Sequence, residues 1–308
     1  MLISVIIPTH NPRRDYLERV LAALGAQTLP KAHWELIVID NASQPAVAPE
    51  LAQLGHSSGR VVREERLGLT AARLAGIVAS HGEIVVLVDD DNVLALDYLQ
   101  QTSIAFERLS HVGALGGKSI PQFETPPASW LNEFFPLLAV RDLGDRELVS
   151  SGLKLIDKSI CEYPLFAPIG AGMALRREAV QLWLTSKKHL SDRRGNELTS
   201  SGDNDIVLTI MKAGWGVAYL PQLGLTHLIQ PSRLEPGHLA RLNRGIQKSW
   251  TQVLALHNAC PWPQIANWTV PLRKLKAWFT YRAWNNPAAR IRWQGACGHF
   301  EGRAIKLP

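Results

Sequence analysis

The sequence predicts an α/β fold built on a mostly parallel sheet with helices on both faces. Three observations carry that prediction. Apolar strand patterns alternate with helix patterns through the first hundred residues, polar residues gather directly after the strands, and three aspartates, Asp89, Asp90 and Asp91, end the run Ile84-Val85-Val86-Leu87-Val88. Five branched apolar residues in a row read as a strand buried on both faces. The carboxylates then emerge at its carboxyl end, where open α/β sheets bind ligands.

Residues 2–7 form the first buried strand. Asn11 and Pro12 read as an N-cap and a proline at the first helical position, opening a helix with Leu17, Val20, Leu21 and Leu24 on one face. Leu36-Ile37-Val38-Ile39 is a second strand, ending at Asp40-Asn41. A helical stretch follows near 48–54, and Arg60-Val61-Val62 is a short strand. Gly68-Leu69-Thr70 introduces a helix over 71–79, which leads into the strand ending at Asp89. This βαβ order predicts a ligand cleft at the strand carboxyl ends. Those ends carry Thr9 to Asn11, Asp40 with Asn41, and Asp89 to Asn92, a polar set suited to a nucleotide. The G-x-G-x-x-G fingerprint is missing from the first turn, which excludes a nicotinamide dehydrogenase.

Prolines 121, 126, 127, 136 and 164 interrupt the pattern over 120–166. There Trp130, Phe134 and Phe135 form either an acceptor wall or a small satellite core. Order returns at 169–175 as a strand in which Gly170 and Gly172 let a ligand approach the backbone. Gly172, Met173 and Trp130 are therefore the acceptor candidates. Ser201-Gly202-Asp203-Asn204-Asp205 precedes a helix with Ile206, Val207, Ile210 and Met211 on one face. Asp203 is a natural N-cap and Asp205 a first-turn acid, together contributing about 1–2 kcal/mol. One of them can also serve as a general base, and the two roles are compatible. Tyr219-Leu220-Pro221 closes another strand, and Thr226-His227 follows.

Three adjacent anions need a cation, and hard oxygen ligands suit Mg²⁺ or Mn²⁺ completed by substrate phosphates. The three cysteines lie far apart, which argues against a zinc site or a disulfide framework. No secretory leader precedes the first strand and no apolar run reaches a spanning length, so the expectation is a cytoplasmic protein. The net charge of +6 is uneven, with residues 233–308 carrying +10 and six of the ten tryptophans. Within that segment helices are expected over 239–256 and 271–284, the second with Leu272, Leu275, Trp278 and Phe279 on one face. Tryptophan beside Lys and Arg fits a surface resting on the inner face of the plasma membrane. The alternative is a helix packed on the domain with a solvated basic face. No nucleic-acid module appears.

Val5-Ile6-Ile7-Pro8-Thr9-His10-Asn11, Val38-Ile39-Asp40-Asn41-Ala42-Ser43, Gly68-Leu69-Thr70-Ala71-Ala72-Arg73 and Val88-Asp89-Asp90-Asp91-Asn92, in that order, resemble glycosyltransferase family 2. The resemblance covers residues 2–230. It implies a GT-A fold, a nucleotide-sugar donor of the UDP or dTDP type, a divalent metal and inversion at the anomeric carbon. By resemblance Pro8, Thr9, Asn11, Asp40, Asn41, Arg73, Asp89 and Asp90 line the donor site. Asp91 binds the metal with Asp89 and His227, and Asp203 is the base with Asp205 as its substitute. Gly202 stands where the family carries Glu. The expected organisation is a transferase domain over 1–232, divided into a nucleotide half, 1–118, and an acceptor half, 119–232. A basic helical extension occupies 233–308. The expected reaction is sugar transfer to a glycan or lipid-linked hydroxyl in cell-surface polysaccharide synthesis. A sugar nucleotidyltransferase and a noncatalytic nucleotide-sugar binding module are the competing readings.

Overall fold

The computed structural model describes residues 1–150, 163–186, 192 and 198–305, and the backbone of the short strands at 155–156 and 160–161. In chain order the elements begin with β1 (Ile3–Thr9), α1 (Arg14–Gly25), β2 (Trp34–Asn41), β3 (Arg60–Glu64), α2 (Leu69–Ala79), β4 (Ile84–Leu87) and β5 (Asn92–Leu94). They continue through α3 (Tyr98–Arg108), β6 (Val112–Phe123), β7 (Leu148–Ser150), β8 (Leu155–Ile156), β9 (Ile160–Cys161), β10 (Ala174–Arg176) and α4 (Arg177–Leu184). Next come α5 (Gly202–Lys212), β11 (Gly216–Ile229), α6 (Pro236–Leu256), α7 (Val270–Thr280) and α8 (Pro287–Ala304).

Among the described residues one large sheet runs in the order β3-β2-β1-β4-β10-β6-β11-β5, with β7 also on β11. Strands β1 to β4 are parallel, as the βαβ pattern predicts. The second half is mixed, because β10 runs antiparallel to both β4 and β6, and β11 runs antiparallel to β5. Side-chain alternation explains the two cores. Ile3, Val5 and Ile7 point to the face covered by α1 and α3, with Leu17, Leu21, Leu99 and Phe106. Ile6, Ile37, Ile39, Val85 and Leu87 point to the other, under α2, α4 and α5, with Ile77, Trp183 and Ile206.

One local expectation is corrected and one is refined. The first helix starts at Arg14, because Asn11 sits at φ 48° and binds the Ser43–Gln44 turn: its N–H donates to Ser43 Oγ and its Oδ1 accepts from Gln44 N–H. The stretch at 48–54 is a 3₁₀ helix, Pro49–Leu54.

The basic segment packs on the sheet domain. Leu239 and Leu242 of α6 join Leu131, Phe134, Leu138, Ile229 and Ile291 in a third core, so Phe134 belongs to a satellite core rather than to a ligand wall. Helix α8 lies close on α6: a Cβ added at Gly298 would stand 2.0 Å from the Arg244 carbonyl oxygen, and one at Gly302 1.7 Å from Thr251 Oγ1. Only hydrogen fits at those two positions.

Candidate active site

The three aspartates leave β4 in different directions, and each meets its own partner. Thr9 Oγ1, at the end of the adjacent β1, donates to Asp90 Oδ2. Asp89 faces the Arg73 guanidinium at 3.9 Å, and Arg73 is only 3% exposed. Asp91 lies 3.2 Å from His227 Nε2 and 3.9 Å from the Arg233 guanidinium. The last pairing follows from sheet register, since His227 of β11 stands opposite Asn92 of β5. Pro8, Thr9, His10, Asn41, Asp89, Asp90, Asp91, His227 and Arg233 share the wall of one cavity of about 280 Å³.

Asp203 reaches the same region from the far side of Arg73. Its Oδ2 accepts from Gly170 N–H at 2.9 Å and its Oδ1 from Asn204 N–H at 2.9 Å. A Cβ on Gly170 would lie 2.5 Å from Arg73 Nη2 and 3.6 Å from Asp203 Oδ2. The absent side chain leaves the room that the guanidinium occupies. Asp89, Arg73, Gly170 and Asp203 thus follow one another in a row in which Gly170, not a direct ion pair, joins Arg73 to Asp203, and Asp203 does not line the 280 Å³ cavity itself. Arg141 stands on the same side, its guanidinium donating to the carbonyls of Leu165 and Ala167. Burial lowers its pKa, and the negative charge of Asp203 is among the influences opposing that shift.

Asp205 is differently placed. It is 2% exposed, accepts from Trp183 Nε1 at 2.7 Å and is hydrogen-bonded to His257 Nε2 at 2.7 Å. It ties α4, α5 and the end of α6 together, and no substrate hydroxyl can reach it there.

At the end of β2 both polar side chains hold loops. Asp40 accepts from Ser43 N–H, Val47 N–H and Arg63 Nη1 at 3.1, 3.0 and 2.6 Å. Burial alone would raise its pKa, but these donors depress it. Asn41 Oδ1 accepts from Gly68 N–H, while its Nδ2 donates to the carbonyls of Glu64 and Arg66. Both amide hydrogens are thereby engaged, so Asn41 presents no donor to a base. Neighbouring His10 is exposed on the cavity rim with Nδ1 2.6 Å from the Asn41 carbonyl oxygen.

The expected acceptor residues do not gather at a surface. Residues 170–173 form a tight turn, not a strand, and Gly172 (φ 70°) packs on Tyr98, whose hydroxyl donates to its carbonyl. Met173 is fully buried in the core under α4 and α5. Trp130 is partly exposed beside Phe134, away from the cavity lining. The small residues at 170 and 172 make room for Arg73 and Tyr98, not for a ligand.

Residues 4–183 match the sequence profile described as Glycosyl transferase family 2. The chain belongs to glycosyltransferase family 2. Curated relatives of this family 2 chain include Glycosyltransferase AglE of Haloferax volcanii, 34% identical over 92 residues, or 29% of this chain and 30% of that protein. The Succinoglycan biosynthesis protein ExoW of Rhizobium meliloti is 33% identical over 102 residues, 32% of this chain and 31% of that one. Such matches span less than a third of the relatives' own length. Crystal structures of Staphylococcus aureus TarS residues 1–349 share the GT-A fold. The complex with UDP-GlcNAc superposes with a TM-score of 0.54 at 13% identity, covering 97% of this chain and 89% of that one.

Family 2 chains with this fold imply a divalent cation. Among the described residues no three His, Cys, Asp or Glu side chains form a ready cage. Asp91 alone fits the role, since Mg²⁺ takes one or two carboxylates and completes its shell with phosphates and water. His227 fits it poorly as a direct ligand. A metal-binding imidazole donates its other N–H to a partner, and His227 Nδ1 is buried without one. Its Nε2 faces Asp91 at 3.2 Å.

Sequence reading missed three contributors: Arg141, Arg233 and Asp192. Asp192 is 2% exposed; its carboxylate accepts from Gly202 N–H at 3.1 Å and its carbonyl from Leu69 N–H at 2.9 Å. It joins the amino-terminal turns of the helices that carry Arg73 and Asp203. A Cβ on Gly202 would lie 2.9 Å from Asp192 Oδ2. Gly202, conspicuous in an otherwise acidic turn, was the one available signal.

Proposed function

We propose that the chain is an inverting glycosyltransferase that moves a sugar from a nucleoside diphosphate donor to an acceptor hydroxyl. The row Asp89–Arg73–Gly170–Asp203 carries the reading, because it runs from the acidic strand end to a separate carboxylate suited to deprotonating an alcohol. Structures of TarS bound to UDP and UDP-GlcNAc support a uridine nucleotide as donor. In this reading Thr9 and Asn41 floor the nucleoside pocket, while Arg73 and Arg233 face the diphosphate with fixed positive charge. A divalent cation at Asp91, when bound, supplies further charge to the departing diphosphate. Asp203 takes the acceptor proton as that oxygen attacks the face of the anomeric carbon opposite the leaving group. A single displacement inverts the configuration.

Replacing Asp203 with Asn tests the assignment. Nucleoside diphosphate release should fall at least about 100-fold, a typical share for general-base catalysis, while donor affinity stays within about twofold of the parent. Undiminished turnover in Asp203→Asn removes it from the mechanism. Release of pyrophosphate by the parent would favour a nucleotidyltransferase instead.

The acceptor reading is a lipid-linked or glycan hydroxyl brought to the site at a membrane surface, in polysaccharide synthesis. ExoW and TarS, named for succinoglycan synthesis and poly(ribitol-phosphate) modification, support the polysaccharide part. The C-terminal helices support the surface part. Trp268, Leu272, Leu275 and Phe279 recur at helical spacing and are 75, 62, 56 and 61% exposed. Arg273, Lys276 and Arg282, also exposed, accompany them. Trp278, expected on that face, turns inward and packs edge-to-face on Trp293. An apolar row beside cations is the pattern of a helix lying in a lipid interface. No described helix is long and apolar enough to cross the bilayer. Sedimentation with anionic vesicles at low salt should carry the protein down, and Leu272→Ser/Phe279→Ser should abolish this.

A further inference from the structure

A second cavity, about 690 Å³, opens between α6, α8 and the turn joining α7 to α8. Three guanidinium groups, of Arg241, Arg244 and Arg290, stand in its wall, and no carboxylate does. Glu301 holds Arg244. Arg241 and Arg290 have no ion-pair partner among the described residues. The amino-terminal turns of α6 and α8 line the same space and add the positive ends of two helix dipoles. The opposite wall is aromatic, formed by Trp278 and Trp284. Trp284, 57% exposed, meets Phe279 edge-on at 5.8 Å between ring centroids. The cationic cavity therefore continues into the exposed apolar row of α7.

We infer that this cavity takes the phosphate of an anionic membrane lipid, with the lipid chains lying along that row. The inference rests on the membrane reading above and gives it a specific seat. A guanidinium pair suits a phosphate better than a diffuse basic face does, because it donates in a fixed fork. The aromatic wall accommodates the glycerol and the first methylenes, as indoles do at the headgroup level. The seat is also close to the acids. Arg233, 3.9 Å from Asp91, is three residues before Pro236 of the cavity wall, a chain reach of at most about 10 Å. A lipid held here keeps the mouth of the active site at the bilayer surface.

The experiment is calorimetric titration of the full chain with dihexanoyl phosphatidylglycerol below its micelle concentration, with dihexanoyl phosphatidylcholine and inorganic phosphate as comparisons. The short phosphatidylglycerol should bind at least about tenfold more tightly than either comparison, in keeping with charge-assisted contacts plus apolar burial. Arg241→Gln/Arg290→Gln should abolish that preference. Arg14→Gln/Arg146→Gln, with the same charge change at exposed positions away from the cavity and the C-terminal helices, should leave it within about threefold, the residue of screened surface charge. Equal losses in the two double variants overturn the seat, as does inorganic phosphate binding as tightly as the lipid. The membrane reading fails separately, if the parent ignores anionic vesicles while still binding the monomeric lipid.

Discussion

Replacing Asp205 with Ala separates the structural acid of α5 from the proposed base, Asp203. Asp205 is 2% exposed and makes two hydrogen bonds of 2.7 Å, to Trp183 Nε1 and His257 Nε2. A hydrogen bond to a charged group contributes about 1.5–3 kcal/mol, and the deletion strands the N–H of Trp183, itself 1% exposed. The expected cost is roughly 3–5 kcal/mol, in the range for breaking a buried polar pair. At about 2–4 °C per kcal/mol for a chain of this size class, Tm should fall by roughly 6–20 °C. Asp203→Ala removes contacts to two backbone N–H groups at a partly exposed position, and its Tm should move by no more than about 4 °C. Turnover should follow the opposite order, with Asp203→Ala inactive and Asp205→Ala retaining activity below its lowered Tm. Scanning calorimetry paired with a nucleoside diphosphate release assay reads both quantities. The reasoning is refuted if Asp205→Ala melts within about 2 °C of the parent yet no longer turns over.

Gly202→Ala should push Asp192 off the first N–H of α5, because the new Cβ would stand 2.9 Å from Asp192 Oδ2. Turnover should drop about tenfold, the equivalent of one charge-assisted hydrogen bond, and Asp192→Ala/Gly202→Ala should be no worse than Asp192→Ala alone. Additive losses in that cycle would separate the two residues. Glu35 sets an acid limit on stability. Burial would raise its pKa, but the His81 N–H, Ser4 hydroxyl and Arg60 guanidinium hold it at about 2. A depressed folded-state pKa stabilises above the unfolded value, near 4.3, and that contribution is lost as pH falls toward 2. Denaturant midpoints between pH 5 and 2 should therefore fall more steeply in the parent than in Glu35→Gln.

The amino-terminal half of the fold was legible because its information is local. Strand runs such as Ile84-Val85-Val86-Leu87 alternate between two cores, and their polar successors necessarily emerge at one sheet edge. A contact that joins distant segments leaves no such local signal. Strand β10 has three residues and runs against its neighbours, so periodicity could neither find nor orient it. Helix α8 shows no apolar stripe because it packs through Gly298 and Gly302 against α6, and close backbone approach leaves no hydrophobic pattern. The same distinction holds in the site. The three aspartates were legible from a run of eight residues, whereas engagement of the Asn41 amide by Glu64 and Arg66, and of Asp205 by His257, depends on tertiary placement.

The position of Arg73 decides how the two halves of the site communicate. It is 3% exposed, faces Asp89 at 3.9 Å, crowds the vacant Cβ position of Gly170 and keeps a buried Nε–H without an acceptor. A buried donor left unpaired costs about 1–3 kcal/mol, so a diphosphate oxygen reaching that N–H would relieve a penalty already present in the free protein. The vacant Cβ position of Gly170 lies within 4 Å of both that guanidinium and Asp203, so a change in the pairing of Arg73 would alter the field at the carboxylate proposed as base. Arg73→Lys tests this coupling, because an ammonium cannot supply two directed donors to two partners at once. Donor KM should rise and kcat should fall together, each by about tenfold, the usual size of one charged hydrogen bond. A rise in KM with kcat unchanged would mean that Arg73 only binds the donor and that the row from Asp89 to Asp203 has no part in the chemical step.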